Sequence, residues 1–207
     1  DKTDTIDYNI QRLGLWIKYN QKSAITETGW MALEVEKVPK RAGKKLIGVK
    51  YGVDGSNVAV AIAFKSPEGK IFVECIDCRP SRIGNEWIVS LIKNMTDLGG
   101  VIVDGANGQK LLEEAMKEAM IKTKQVFPTV GNVIVANAMF EQALEAATIC
   151  HKAQPSLVCS ATNCEKRAIG SNGGFGYKSL TPDTEIALLD SVIMAHWLCS
   201  EYKEKKT

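Results

Sequence analysis

Three aspartates occupy positions from which carboxylates could bind a metal ion. Asp54 and Asp104 each close an apolar run, and each is followed by glycine. Asp190 lies inside an apolar helix pattern, where at about 100° per residue it falls roughly 40° from Ile186 and roughly 20° from Trp197. A carboxylate on the buried face of a helix is costly unless it is paired or binds a metal. The sequence therefore predicts two acids at strand ends and a third on a helix that faces the sheet.

Each of these acids also has a purely structural explanation. Asp followed by Gly is a common turn pair, so Asp54 and Asp104 taken singly are more typical of turns than of ligands. Asp190 could be paired with a lysine or could cap a neighbouring loop. It is the three acids together, in this order along the chain, that favour a site.

The composition is that of an ordinary globular protein. The chain has 207 residues with 45% hydrophobic and 24% charged residues, and its net charge of +2 is too small to establish a nucleic-acid partner. No apolar run approaches the ~20 residues that a membrane span requires. The first residues do not resemble a secretion signal. We therefore expect a protein that has no membrane partner and is not secreted.

Six cysteines raise the question of a metal or disulfide framework. Cys75 and Cys78 form a CxxC pattern, but on a predicted strand their side chains point to opposite faces. Cys159 and Cys164 have no histidine near them in the sequence, and a zinc site would need matched ligand pairs. The pattern favours reduced, structural cysteines and a cytosolic setting.

From residue 43 onward the chain alternates between strand and helix patterns. The predicted strands are Leu46–Val53, Val58–Phe64, Lys70–Cys78 and Val101–Asp104, with Gln125–Pro128 as a candidate fifth. The predicted helices are Trp87–Leu98, Lys110–Ile121, Val133–Cys150 and a last helix that begins at Thr181-Pro182. Three antiparallel strands followed by alternating helices and strands predict an α/β fold with one mixed, mostly five-stranded sheet flanked by helices. Residues 1–42 differ in pattern and are predicted to be a linker or docking segment that precedes a domain at 43–207.

A polar, glycine-rich stretch lies between residues 164 and 179 and carries three cations that could contact phosphate. Lys166 and Arg167 stand before the glycines and Lys178 stands after them. Glycines give mobility, and lysine and arginine are the usual phosphate contacts of DNA-binding proteins. The alternative is a flexible surface loop with ordinary solubilising charge.

Three segments carry a family resemblance. They are Arg12–Trp16 (RLGLW), Gly48–Gly55 (GVKYGVDG) and Ala187–Ala195 (ALLDSVIMA). With the order of elements, they resemble the ribonuclease H-like superfamily and, within it, the C-terminal nuclease domain of the terminase large subunit of tailed bacteriophages. The resemblance covers nearly the whole chain, and the last motif, which matches the helix bearing the final catalytic Asp, is the most specific.

The resemblance implies a function and a set of partners. It implies a metal-dependent endonuclease that cuts concatemeric double-stranded DNA during viral DNA packaging, with Asp54, Asp104 and Asp190 holding two Mg²⁺ or Mn²⁺ ions. It also implies an ATPase domain in the same polypeptide, a small terminase subunit and a portal as partners, and the host cytoplasm as the location. Residues 1–42 would follow that ATPase domain, and no GxxxxGK[ST] phosphate loop occurs in this sequence.

The sequence departs from the family pattern at Lys50. Many terminases place the first catalytic Asp directly after the Gly-Val of the first nuclease strand, and here that position is Lys50. The role is therefore assigned to the nearest acid, Asp54. If Lys50 occupies the ligand position, the site is altered or binds a single metal ion.

Two other functions stay open. A nuclease-like domain that has lost an acid could act only as a DNA-holding or docking module of the packaging motor, and Mn²⁺ binding would discriminate it from an active nuclease. Actin-like sugar kinases share a related strand core and use Asp-Gly motifs around phosphates. They need two such domains, which this chain is too short to supply.

Overall fold

The computed structural model describes residues 23–171 and 173–203. Its centre is a six-stranded mixed sheet in the order β5-β4-β1-β2-β3-β6, and a separate two-stranded sheet pairs β7 with β8. Strands β1, β2 and β3 are antiparallel neighbours, whereas β4 runs parallel to β1, β5 parallel to β4, and β6 parallel to β3. This confirms the predicted fold class, with one strand more than the five expected. The strands are β1 Ala42–Tyr51, β2 Asn57–Lys65, β3 Ile71–Pro80, β4 Leu98–Asp104, β5 Gln125–Val126, β6 Ile149–His151, β7 Cys164–Ile169 and β8 Gly174–Ser179.

Helices cover both faces of the large sheet. They are α1 Glu27–Met31, α2 Glu86–Asn94, α3 Gln109–Glu118, α4 Val130–Glu145, α5 Pro155–Thr162 and α6 Ala187–Glu201, with a 3₁₀ turn at Ser81–Ile83. One core lies between the sheet and α2 and α3, and the other lies between the sheet and α1, α4, α5 and α6. Side chains alternate along a strand, so Ile47 and Val49 of β1 enter the first core while Gly48 and Lys50 face α6.

Two residues before β1, Ile25 and Trp30, belong to the second core. Trp30 of α1 is fully buried, and its indole stacks on the His151 ring at 4.3 Å between centroids. The Nε2 atom of His151 also lies 2.9 Å from the carbonyl oxygen of Trp30. This packing ties α1 to β6, while the RLGLW segment at residues 12–16 lies outside the described residues.

Several helix boundaries differ from the sequence prediction. Helix α2 ends at Asn94 and not at Leu98, which begins β4, and helix α3 ends at Glu118 and not at Ile121. The last helix begins at Ala187 and not at Thr181-Pro182, because residues 181–184 form a turn in which the Thr184 amide donates to the Thr181 carbonyl. Helix α4 begins at Val130, since the Thr129 hydroxyl and the Asn132 side chain form a reciprocal capping box.

The predicted helix Val133–Cys150 and the predicted loop at 164–179 also need correction. Helix α4 ends at Glu145, and Ile149–His151 forms β6, whose pairing with β3 adds a sixth strand to the sheet. Cys164–Ile169 and Gly174–Ser179 pair as the β7–β8 hairpin, which packs on α4: a Cβ at Gly174 would lie 2.4 Å from the Ile134 side chain.

The six cysteines are all free. Burial raises the pKa of the Cys75 thiol to about 12 and that of the Cys199 thiol to about 11. Both thiols are therefore protonated at neutral pH, as expected of packing residues.

None of the helices in the described residues is long and apolar enough to span a membrane.

Candidate functional site

Lys50 joins two of the three predicted acids. It is paired in register with Asp104 on the neighbouring parallel strand, so both side chains leave the same face of the sheet. The Lys50 Nζ atom donates to Asp104 Oδ2 at 2.5 Å and lies 3.8 Å from Asp190 Oδ2. Because Asp104 Oδ2 and Asp190 Oδ2 contact the same nitrogen atom, the distance between these two oxygens cannot exceed the sum of 2.5 and 3.8 Å. Asp104 and Asp190 therefore lie close together in space although they are far apart in the sequence.

Close packing of α6 against β1 places Asp190 over this face. A Cβ atom at Gly48 would lie 2.2 Å from the carbonyl oxygen of Ser191 and 2.6 Å from the amide nitrogen of Ala195. Only glycine allows a helix backbone to approach the strand this closely. Because Ser191 follows Asp190 directly, the missing side chain at Gly48 brings the Asp190 carboxyl group within reach of Lys50.

Asp104 ends β4 with both of its carboxyl oxygens engaged. Its Oδ2 atom accepts from Lys50, and its Oδ1 atom accepts from the Gly105 amide at 2.8 Å. Gly105 has a φ of 109°, and a Cβ there would lie 2.7 Å from the carbonyl oxygen of Tyr51. The turn after β4 therefore packs closely against the end of β1, which fixes the Asp104 side chain beside Lys50.

The charges of the cluster depend on one another. Asp190 is 9% exposed, and burial raises the pKa of its carboxyl group to about 6. The Lys50 ammonium opposes this rise and the Asp104 carboxylate adds to it, while Arg167 lowers and Glu185 raises the pKa of Asp190 to smaller extents. Lys50 is therefore the main group that keeps Asp190 ionised near neutral pH.

Asp54 lies in the turn that follows β1. Its Oδ1 atom accepts from the Ser56 amide at 2.9 Å and from the Ser56 hydroxyl at 2.8 Å, and these bonds lower the pKa of the carboxyl group. It lines a surface depression together with Asp183 and Glu185. The position that faces Asp104 across the strand pair is thus held by Lys50, and a metal-binding role for Asp54 stays a prediction.

Glu185 is an additional acid beside the cluster. Its Oε1 atom accepts from the Ala187 amide at 2.9 Å, and its Oε2 atom accepts from the Asn57 side-chain amide at 2.6 Å. Glu185 therefore accepts a hydrogen bond from the first backbone amide of α6 and links that helix to Asn57 of β2. An acid just before a helix pattern is the sequence signal for this role.

The cluster of Lys50, Asp104 and Asp190, called the centre below, does not fit a two-metal site. An ammonium group has no lone pair with which to bind a metal ion, and Lys50 already contacts both acids that would do so. Within residues 23–171 and 173–203, no group of three or more His, Cys, Asp or Glu side chains is arranged to hold a metal ion.

The three predicted phosphate-contacting cations lie on the β7–β8 hairpin and are engaged with neighbours. Lys178 forms an ion pair with Glu165 at 2.8 Å, and the Arg167 Nε atom donates to the Tyr177 carbonyl at 3.3 Å. Lys166 pairs with Glu141 and also lies over the Phe175 ring, 4.3 Å from its centroid. The side chains of Lys166 and Lys178 are about half exposed, so DNA phosphate could compete with these partners. DNA binding by all three residues stays a prediction.

Comparison with solved structures shows which fold this is. The large terminase of bacteriophage HK97 superposes with a TM-score of 0.67 at 12% identity, covering 84% of this chain and 43% of the terminase. The magnesium-bound large terminase nuclease of thermophilic phage G20c gives 0.59 at 11% identity, covering 87% of this chain and 100% of the nuclease. The Mn-bound large terminase nuclease domain of bacteriophage SPP1 gives 0.52 at 13% identity, covering 78% and 93%. No protein-family model and no curated protein sequence matches the chain. The chain therefore has the fold of the nuclease domain of bacteriophage large terminases.

Proposed function

We propose that this domain holds double-stranded DNA in a viral DNA-packaging motor and does not cut it at the centre formed by Asp104 and Asp190. Two kinds of observation support the proposal. The fold is that of large terminase nuclease domains. The observation that carries the loss of cutting is the Lys50 ammonium, which contacts both acids at the expected catalytic centre.

The electrostatics of the centre support the loss of cutting. Metal-dependent phosphodiester hydrolysis requires carboxylate oxygens that are available to divalent ions. A divalent ion placed ~4 Å from an ammonium group is repelled by about 8 kcal/mol at an effective dielectric constant of about 20. The ion would also have to break the contacts of Lys50 with both carboxylates in order to bind them. Lys50 would have to leave the centre before a metal ion could enter.

A metal-dependent endonuclease is the second candidate. Its support is the convergence of Asp104 with Asp190 and the presence of magnesium or manganese in solved large terminase nucleases of this fold. In this reading the domain cuts concatemeric double-stranded DNA with Mg²⁺ or Mn²⁺. The chain spans 43% of the HK97 large terminase. For both candidate functions we propose the same partners and location. The partners are an ATPase domain of the same polypeptide, a small terminase subunit and the portal, and the location is the host cytoplasm.

Incubation with supercoiled plasmid separates the two candidates. We expect the wild-type chain to leave the plasmid intact in Mn²⁺, in Mg²⁺ and in EDTA, because the Lys50 ammonium group occupies both acids of the centre. Agarose gel electrophoresis measures nicked and linear products. Cleavage that requires Mn²⁺ and disappears in Asp190→Asn would establish the endonuclease instead.

Lys178 provides a test of DNA holding that does not depend on cutting. We expect Lys178→Ala to weaken binding of a DNA duplex in EDTA and to lower the slope of log K against log salt by about one unit, the effect of losing one phosphate contact. Fluorescence anisotropy at several salt concentrations measures the slope. Lys117→Ala is the matched control, since Lys117 also pairs with a glutamate on the surface. Equal slopes for wild type and both variants would remove Lys178 from the DNA interface.

A further inference from the structure

Lys50, Asp104 and Asp190 form a compact group of opposite charges contributed by β1, β4 and α6. One nitrogen atom contacts a carboxyl oxygen of each acid. A cation shared between carboxylates of different elements is also the arrangement that holds a divalent ion in proteins. We propose that the Lys50 ammonium replaces a divalent metal ion between Asp104 and Asp190, and that replacing Lys50 by aspartate turns the centre into a metal site.

The link between this centre and DNA cutting rests on the proposed function. The metal-binding part of the inference depends only on this chain and requires no DNA.

The backbone places position 50 suitably for a third carboxylate. Lys50 and Asp104 are register partners in a parallel strand pair, so a side chain at position 50 starts about 4.8 Å from its neighbour on the same face. Helix α6 lies over that face and brings Asp190 to it. Carboxylates from β1, β4 and α6 would then surround a common point, as oxygen ligands at about 2.0–2.6 Å from an ion require.

The charge of the centre favours ion uptake once the ammonium group is removed. Lys50→Asp leaves Asp104, Asp190 and the new carboxylate together at a nearly buried position, with Glu185 also close enough to raise the pKa of Asp190. Arg167 is the other cation that acts on Asp190, and its single charge does not balance these acids. Buried carboxylates without a counter-charge are strongly unfavourable. A divalent ion would supply the missing charge and bond to the oxygens.

A Mn²⁺ titration of the metal-free chain tests the proposal. The electron paramagnetic resonance signal reports free Mn²⁺, and thermal unfolding reports the stabilisation that bound Mn²⁺ provides. We expect Lys50→Asp to bind Mn²⁺ at least about tenfold more tightly than wild type, which is the lower end of the effect that even outer-shell partners have on metal affinity. At a Mn²⁺ concentration of about 100 times the dissociation constant, its Tm should rise by roughly 5–10 °C, whereas the wild-type Tm should not respond.

Two further variants locate the ion and keep the test decisive. Adding Asp190→Asn to Lys50→Asp should return Mn²⁺ affinity to the wild-type level, because one of the three carboxylates is removed. Asp104→Asn in the otherwise wild-type chain should leave Mn²⁺ binding unchanged. This second comparison decides the question even if Lys50→Asp fails to fold, as judged by circular dichroism.

Two results would overturn the proposal. One is a folded Lys50→Asp protein that binds Mn²⁺ no better than wild type. The other is wild-type Mn²⁺ binding that Asp104→Asn abolishes, since the centre would then hold metal with Lys50 present. Because the titration contains no DNA, a failure of DNA binding would count against the proposed function and leave the metal inference intact.

Discussion

Replacing Lys50 by methionine should lower the free energy of unfolding by about 3–5 kcal/mol at pH 8, the usual effect of removing one partner from a buried ion pair. Methionine keeps the length and the apolar stem of the side chain but removes its charge. Asp104 and Asp190 would then face each other beneath α6 without the cation that contacts both. Urea unfolding followed by circular dichroism measures the change.

The destabilisation by Lys50→Met should shrink as the pH falls. The folded-state pKa of Asp190 already lies near 6, above its ordinary value of 3.8, and the Lys50 ammonium is the group that holds it down. Without Lys50 the folded protein takes up a proton at a still higher pH, whereas the unfolded chain does so only near pH 3.8. Relative to wild type, the variant therefore gains stability as the pH falls from about 8 to about 6. Below that pH both folded proteins take up the proton, and the difference between them stops changing.

Lys65→Met is the matched control for this experiment, because Lys65 lies exposed at the end of β2. Its stability should stay within about 0.5 kcal/mol of wild type at each pH, as for most surface substitutions. If Lys50→Met were as stable as this control at pH 8, Lys50 would not be the counter-charge of the two acids.

Local patterning was enough to predict the central strands. The apolar runs of β1 to β4 and the Ser66–Gly69 turn are local signals, and the antiparallel order of the first three strands follows from them. Strand β6 has only three residues and is defined by its pairing with β3. Its sequence continues the apolar pattern of α4, so nothing local separates it from the helix.

The β7–β8 hairpin shows a second limit of local patterning. Its residues are largely polar, and β7 alternates between partly buried and exposed positions after the buried Cys164. Glycines at both ends of its connecting turn indicate a loop as readily as a hairpin. The pairing is stabilised by packing of β8 on α4, which a single-sequence pattern does not contain.

Asp190 illustrates what helix periodicity can predict about the site. The periodicity predicts a buried carboxyl group, and the structure places it on the face of α6 that packs on the sheet, with the Lys50 Nζ atom 3.8 Å away. The sequence identifies Lys50 as a departure from the family pattern. It does not show that this side chain reaches acids on two other elements, because that contact depends on how closely α6 approaches β1.

Asp54 illustrates the opposite difficulty. Its position at a strand end is typical both of a ligand and of a turn former. In the structure its carboxylate bonds to the amide and the hydroxyl of Ser56, two residues along the chain. Such local bonds compete with any longer-range role, and the sequence alone does not decide between them.

Gly48→Ala should be among the most destabilising single substitutions outside Lys50, lowering the free energy of unfolding by about 3 kcal/mol or more. Inserting a methyl group into a well-packed contact costs about 1–3 kcal/mol when side chains can adjust. Here the methyl group would meet backbone atoms of α6 at 2.2 and 2.6 Å, and a helix backbone adjusts less easily than a side chain. Thermal and urea unfolding measure the loss.

Gly131→Ala is the control for the general effect of replacing a glycine. A Cβ there lies 3.7 Å from its nearest neighbour, the Thr129 hydroxyl, within the first turn of α4. Alanine is favoured over glycine in helices by about 0.5–1 kcal/mol, so this variant should be as stable as wild type or slightly more stable. A Gly48→Ala protein as stable as Gly131→Ala would contradict the close approach of α6 to β1. Because that approach also brings Asp190 to Lys50, the combined loss of Gly48→Ala and Lys50→Met should be smaller than the sum of the two single losses. Strict additivity of the two losses would show instead that helix packing and the charge cluster are independent.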